Sequence, residues 1–144
     1  MKKYIRFVLT AFTLIILFSA CTSDTNDAVP STIPSEETAI IPVYKTISAA
    51  DAKELIASGG AVLMDVRTPE EYTEAYIPGA VLLPLDDIAQ KAETVLPDKD
   101  AVIILYCRSG RRSAIAAEEL MDMGYKTVYD LGGIIDWPYE TTGG

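Results

Sequence analysis

The sequence predicts an α/β protein in which a parallel sheet is covered by helices on both faces. Two apolar runs carry that expectation, "AVLMDV" at 61–66 and "AVIILY" at 101–106, each bounded by turn residues. Near-continuous apolar runs of this length suit strands buried on both faces, as parallel strands are. The third observation is alternation: strand-like and helical patterns follow one another from Tyr44 onward, in a stretch short enough for a single core.

Lys45–Ile47 reads as a short first strand. Ser48 then caps a helix running through Ala57, with Asp51 at the capping-box position and Gly59-Gly60 ending it. After the 61–66 strand, Glu70 and Glu71 fall in a turn. Val81–Leu83 is a third strand, followed by a helix from about Asp86 to Val95. Beyond the 101–106 strand, a helix with Ala114, Ala117, Leu120 and Met121 on one face stops at Gly124, and Thr127–Tyr129 supplies another strand. No internal repeat is present.

The N-terminal 43 residues read differently. Lys2, Lys3 and Arg6 precede an apolar stretch, Phe7–Leu17, that is shorter than the ~20 residues a membrane-spanning helix needs. "LFSAC" then resembles a bacterial lipobox, which marks residues 1–20 as a signal peptide and Cys21 as the lipidated residue; a plain signal peptide and an uncleaved anchor are the alternatives. Residues 22–43 are rich in Ser, Thr, Asp, Glu and Pro and lack a period, so 21–43 reads as the lipidated cysteine and a flexible linker, with the domain at 44–144. The expected location is the extracytoplasmic face of a bacterial membrane, held there by lipid on Cys21 alone.

All 21 acidic residues lie after position 20, as do nine of the 12 basic ones, so the exported chain carries a net −12. That charge argues against binding nucleic acid, or an anionic membrane, through a basic surface. Histidine is absent. Cys-His, Ser-His and His-ligated metal mechanisms within this chain are therefore excluded.

With Cys21 lipidated, Cys107 is the remaining thiol. It lies in "YCRSGRRSA", at the end of a buried strand and the start of a helix, the edge of an open α/β sheet where ligands bind. Gly110 permits a tight turn, successive N–H groups can converge on the sulfur, and the helix directs its positive end at the same spot. Arg108, Arg111 and Arg112 add positive charge, the environment that lowers a cysteine pKa. A thiolate here needs no histidine. Two chemistries fit an anionic substrate: sulfur transfer through a persulfide, and phosphate-ester hydrolysis through a phosphocysteine. The latter goes with cysteine, five residues, arginine; here the sixth residue after Cys107 is Ser113, and the smaller ring suits a single sulfur.

Four stretches in order, "LMDVRTPEEY" (63–72), "IPGAVLLPL" (77–85), "YCRSGRRSAIAAEELMDMGY" (106–125) and "VYDLGGIIDW" (128–137), resemble the motifs of a single-domain rhodanese. The resemblance implies a three-layer α/β/α fold with a mostly parallel five-stranded sheet. It also implies an active-site loop formed by Cys107, Arg108, Ser109, Gly110, Arg111 and Arg112, with Cys107 cycling between thiolate and persulfide. Asp65 and Arg67 would support the fold. A small anionic sulfur donor such as thiosulfate and a thiol or cyanide-like acceptor are implied as partners, with a redox or sulfur-relay protein as a further one, and neither cofactor nor metal is required. Ala75-Tyr76 stand where the family commonly has Gly-His. Trp137 reads as a core aromatic that could flank the pocket. The runner-up functions are a non-enzymatic interaction or sensing module and, behind it, a cysteine phosphatase or arsenate reductase.

Overall fold

The computed structural model describes residues 42–143. The signal peptide, Cys21 and nearly all of the linker expected from the sequence lie outside the described residues. Five strands form one sheet in the order β1-β5-β4-β2-β3, and every neighbouring pair is parallel. They are β1 (Val43–Thr46), β2 (Val62–Asp65), β3 (Val81–Leu82), β4 (Val102–Cys107) and β5 (Thr127–Gly133). Helices α1 (Ala49–Ala57), α2 (Pro69–Glu74), α3 (Ile88–Val95) and α4 (Arg111–Asp122) connect them, and 3₁₀ turns precede α3 at Leu85–Asp87 and follow β5 at Ile134–Asp136.

Side-chain alternation along the central strand divides the core in two. Ile103, Leu105 and Cys107 face one way and pack with Met64, Val66, Ile88 and Ala92 and with Ala116, Ala117 and Leu120 of α4. Ile104 and Tyr106 face the other way, with Leu63, Ile77, Ala80 and Ala52 of α1. This is the three-layer arrangement expected.

The helix signals act locally as the sequence suggests. Ser48 accepts the Asp51 N–H at 3.1 Å and donates to its carboxylate at 2.6 Å. At the other end Gly59 adopts φ +70° while the Gly60 N–H reaches Leu55 O, closing α1 with a left-handed cap. β1 is Val43–Thr46 rather than Lys45–Ile47, because Val43, read as the end of the linker, already pairs with Thr127 of β5 and the strand ends where Thr46 meets Asp130. Two further stretches differ from the sequence reading. Residues 69–74 form a helix rather than a turn: Thr68 and Glu71 make a reciprocal capping box and Pro69 opens the first turn. The second is β5, which runs four residues beyond Tyr129 through Asp130 and Gly132-Gly133. The inner face of α4 is also shifted by a residue, so that Ser113 is buried and Ala114 only half-buried.

Topology sets the site. The chain passes from β2 outward to β3, then returns across β2 to β4 on its other side. The reversal sets the C-terminal ends of β2 and β4, which carry Asp65 and Cys107, side by side at the edge where open α/β sheets bind ligands.

Candidate active site

Cys107 is the last residue of β4, and Arg108, Ser109 and Gly110 complete the turn into α4. Gly110 is the N-cap of that helix at φ +95°, a left-handed conformation that a side chain would strain. The turn places the Gly110 N–H 3.1 Å from Cys107 Sγ. The amides of Ser109, Arg112 and Ser113 in the same turn add to its effect on the thiol. Burial pushes the thiol pKa up, but the N–H groups of Ser113, Ser109, Gly110 and Arg112 outweigh it and bring it below the ordinary 9.0. Cys107 is 1% exposed, so the sulfur sits at the bottom of the ring.

The three arginines are not equivalent. Arg112 faces the sulfur and is held by Glu71 of α2 in a bidentate pair, Nη1 to Oε2 at 2.7 Å and Nη2 to Oε1 at 2.8 Å. The Arg112 hydrogen bond, against the cost of burial, holds the Glu71 carboxyl at about 2. Arg108 and Arg111 are exposed, and neither makes an ion pair among the described residues. The sequence reading set all three arginines beside the thiol with at least one turned outward; Arg108 and Arg111 are the exposed ones, and Arg112 is the guanidinium close to the sulfur.

Beneath the loop lies support that the sequence reading did not assign. A β-bulge between Leu105 and Tyr106 leaves Leu131 unpaired and sets Gly132 and Gly133 opposite Tyr106 and Cys107. Gly133 is needed there for space: a Cβ would lie 2.6 Å from Arg108 O and 2.8 Å from Ser109 Cα. Asp130, 8% exposed, accepts the Ser113 hydroxyl at 2.6 Å and the Gly132 N–H at 2.9 Å. One carboxylate thereby ties the bulge to the first turn of α4, whose Ser113 amide acts on the thiol. Asp65, the last residue of β2, and Arg67, two residues beyond it, form a buried pair, with Nε to Oδ1 at 2.9 Å and Nη2 to Oδ2 at 2.6 Å. Arg67 also donates to Ala75 O, and its guanidinium lies 5.6 Å from the Tyr106 ring centroid. The Tyr106 hydroxyl bonds Asp65 and accepts the Ile77 N–H at 3.1 Å. Asp65 and Arg67 thus brace the end of β2 against Ala75 and Tyr106, and neither reaches the sulfur ring by hydrogen bond.

Comparison with known proteins decides the family. The rhodanese-like domain family matches residues 48–139. The chain belongs to the rhodanese-like family. The thiosulfate sulfurtransferase PspE of Escherichia coli K12 is 40% identical over 73 residues, spanning 51% of this chain and 70% of that protein. The putative sulfurtransferase YtwF of Bacillus subtilis is 44% identical over 98 residues, 67% of this chain and 93% of that one. Among solved structures, an E. coli rhodanese with anions superposes with a TM-score of 0.55 at 36% identity, covering 58% of this chain and 99% of that chain.

In this rhodanese domain, Trp137 packs against the Ile104–Tyr106 face of the sheet and not beside Cys107. It lines a cavity of about 640 Å³ with Lys53, Ile56, Pro78 and Tyr139, which includes no residue of the Cys107 loop. Tyr76, at the usual histidine position, stacks on Tyr72 with centroids 4.2 Å apart and bridges the Thr142 backbone, a structural role that needs no imidazole. Among the described residues no group of Cys, Asp and Glu side chains converges to hold a metal ion.

Proposed function

We propose that this chain is an exported sulfurtransferase that carries sulfane sulfur on Cys107 as a persulfide. The observation that supports it most is the buried Cys107 thiol at the N-terminus of α4, with the Gly110 N–H 3.1 Å from its sulfur and the backbone of the same turn drawing its pKa down. The names of its relatives, thiosulfate sulfurtransferase among them, point to the same chemistry. In the forward half-reaction the Cys107 thiolate attacks the outer sulfur of thiosulfate. The S–S bond of the donor breaks and sulfite leaves with its electron pair, so the enzyme holds Cys–S–S⁻. A thiophilic acceptor such as cyanide or a thiolate then attacks the terminal sulfur and regenerates the Cys107 thiolate. Charge and atoms balance without an external oxidant, and no proton is moved in either step as written. The amide ring receives a singly charged sulfur in both states, and Arg112 offers the incoming dianion a nearby cation.

The experiment is mass spectrometry of the full chain after thiosulfate, with peptide mapping of the added sulfur. The expected adduct is one sulfur on the Cys107 peptide, removed by cyanide with release of thiocyanate and absent in Cys107→Ser. No cyanide-labile sulfur on wild type refutes the reading. Export and anchoring are proposed on the "LFSAC" sequence. Radiolabelled fatty acid should appear on the chain and be lost in Cys21→Ala; label persisting in that variant refutes the anchor.

A further inference from the structure

The mouth of the Cys107 loop differs in composition from the surface around it. Acidic residues outnumber basic ones 21 to 12 along the chain. Yet Arg108 and Arg111 stand exposed at the loop, with no carboxylate in ion-pair range among the described residues. Arg112 is already matched by Glu71, so the cations at the rim are Arg108 and Arg111. The neighbouring acids, both exposed, are Glu118, seven residues after Arg111 on α4, and Asp136 on the turn that follows β5.

Two apolar side chains accompany those arginines. Ile135 is 65% exposed, more than any other large apolar residue described, and its N–H donates to Arg108 O at 3.4 Å, which seats it against the loop. Ile115, 45% exposed, lies one helical turn after Arg111 and therefore on the same face of α4. Single exposed isoleucines are ordinary; two beside two unmatched arginines around a reactive thiol make a patch. Interface cores are enriched in arginine and apolar anchors.

A small donor dianion makes use of the arginines but gains nothing from Ile135 or Ile115. We propose that this rim docks a protein or peptide acceptor whose cysteine is flanked by acidic residues with an apolar side chain beside them, an inference that rests on the persulfide reading above. Depth limits how such a partner can present its thiol. Cys107 is 1% exposed, and the terminal sulfur of a persulfide stands about 2 Å beyond Sγ. An acceptor thiol must therefore be presented on a protruding loop or chain end, whose flanking residues then meet the rim. Charge complementarity of this kind acts mainly on the rate of encounter and on the choice of partner.

The test loads the full chain with thiosulfate, verifies the persulfide by mass, and measures sulfur transfer to cysteine peptides of equal length. One carries Asp, Glu and Leu around the cysteine, a second replaces the acids with Lys, and a third with Ser. Transfer to the acidic peptide is expected to be at least about tenfold faster than to the lysine peptide at low salt. The gap narrows as ionic strength rises and the screening length shortens to about 8 Å. Arg111→Glu reverses the preference. Ile135→Ser slows transfer to the acidic peptide several-fold while thiosulfate-to-cyanide turnover stays at the wild-type rate. Equal rates for the three peptides, a preference for lysine, or an Ile135→Ser loss that is the same with cyanide overturns the docking surface while leaving the sulfurtransferase intact. Failure to form the persulfide at all overturns the underlying function, and the docking surface with it.

Discussion

Asp130→Ala tests whether the amide ring around Cys107 is held from below. The carboxylate accepts two hydrogen bonds, from Ser113 Oγ at 2.6 Å and from the Gly132 N–H at 2.9 Å. When it is removed the Ser113 hydroxyl can turn to Gly110 O, already 2.9 Å away, so that donor is not orphaned. The Gly132 N–H has no such alternative in the bulge. A charge-assisted hydrogen bond is worth about 1.5–3 kcal/mol, and an orphaned buried donor costs about 1–3 kcal/mol. A stability loss of roughly 2–4 kcal/mol follows, read as a lower denaturant midpoint. The functional consequence is separate. Ser113 contributes the foremost of the amide interactions that lower the Cys107 pKa, and its hold on the bulge is what the substitution breaks. The thiolate midpoint should therefore move upward.

The assay is thiolate ultraviolet absorbance against pH in a Cys21→Ser background, which leaves Cys107 as the one thiol of a two-cysteine chain. Loss of about 1.4 kcal/mol of thiolate stabilisation is tenfold in the thiolate fraction below the midpoint, and alkylation rates at neutral pH should fall by at least that factor. Asp130→Asn keeps an acceptor oxygen for both donors and should restore most of the effect. A folded Asp130→Ala protein whose Cys107 titrates as wild type does would refute this support; an Asn variant as impaired as Ala would show that charge, not hydrogen bonding, is what matters.

Three further outcomes are expected. Gly133→Ala has an allowed φ of −107° but drives a Cβ into Arg108 O at 2.6 Å, so the loop must shift; about 10²-fold lower turnover is expected with only about 1–3 kcal/mol of destabilisation, measured by steady-state kinetics and urea unfolding. Asp65→Ala strands Arg67, 5% exposed, beside Ala75 O, and should cost about 3–5 kcal/mol in urea unfolding, whereas the double replacement Asp65→Leu/Arg67→Met should cost less. Glu71, held at about 2 against an ordinary 4.5 by Arg112, contributes stability that is complete above pH 4.5 and is lost as pH falls through about 2; acid unfolding curves should show that loss in wild type and a flatter dependence in Glu71→Gln.

What the sequence made legible was local. The apolar runs at 61–66 and 101–106 became β2 and β4, Ser48 and Asp51 capped α1, and Gly124 ended α4, because each signal acts within a few residues of itself. Helix α2 was missed because it buries no residue and so shows no apolar period; its capping box at Thr68 and Glu71 was the available signal. The end of β5 was missed because Asp130, Gly132 and Gly133 read as turn residues while serving as loop support. The Glu71–Arg112 pair, 41 residues apart, and the Ser113–Asp130 contact, 17 apart, belong to the folded chain. No spacing rule announces them.

These long-range contacts show how a chain without histidine can draw a thiol pKa below its ordinary value. Burial of Cys107 works against ionisation, and the two exposed arginines do little to reverse it because water screens them. Backbone N–H groups at the start of a helix are different: they are fixed in direction, shielded by the same burial that opposes the charge, and need no proton of their own to act. Their effect depends on alignment alone, which is why the molecule spends Gly133, Asp130, Ser113 and a β-bulge on the geometry of one turn. The guanidinium groups at the surface are then released from the task of making the thiolate. On the proposed function their place at the mouth suits them instead to selecting what approaches it, so that ionisation rests on backbone N–H groups and recognition on exposed side chains.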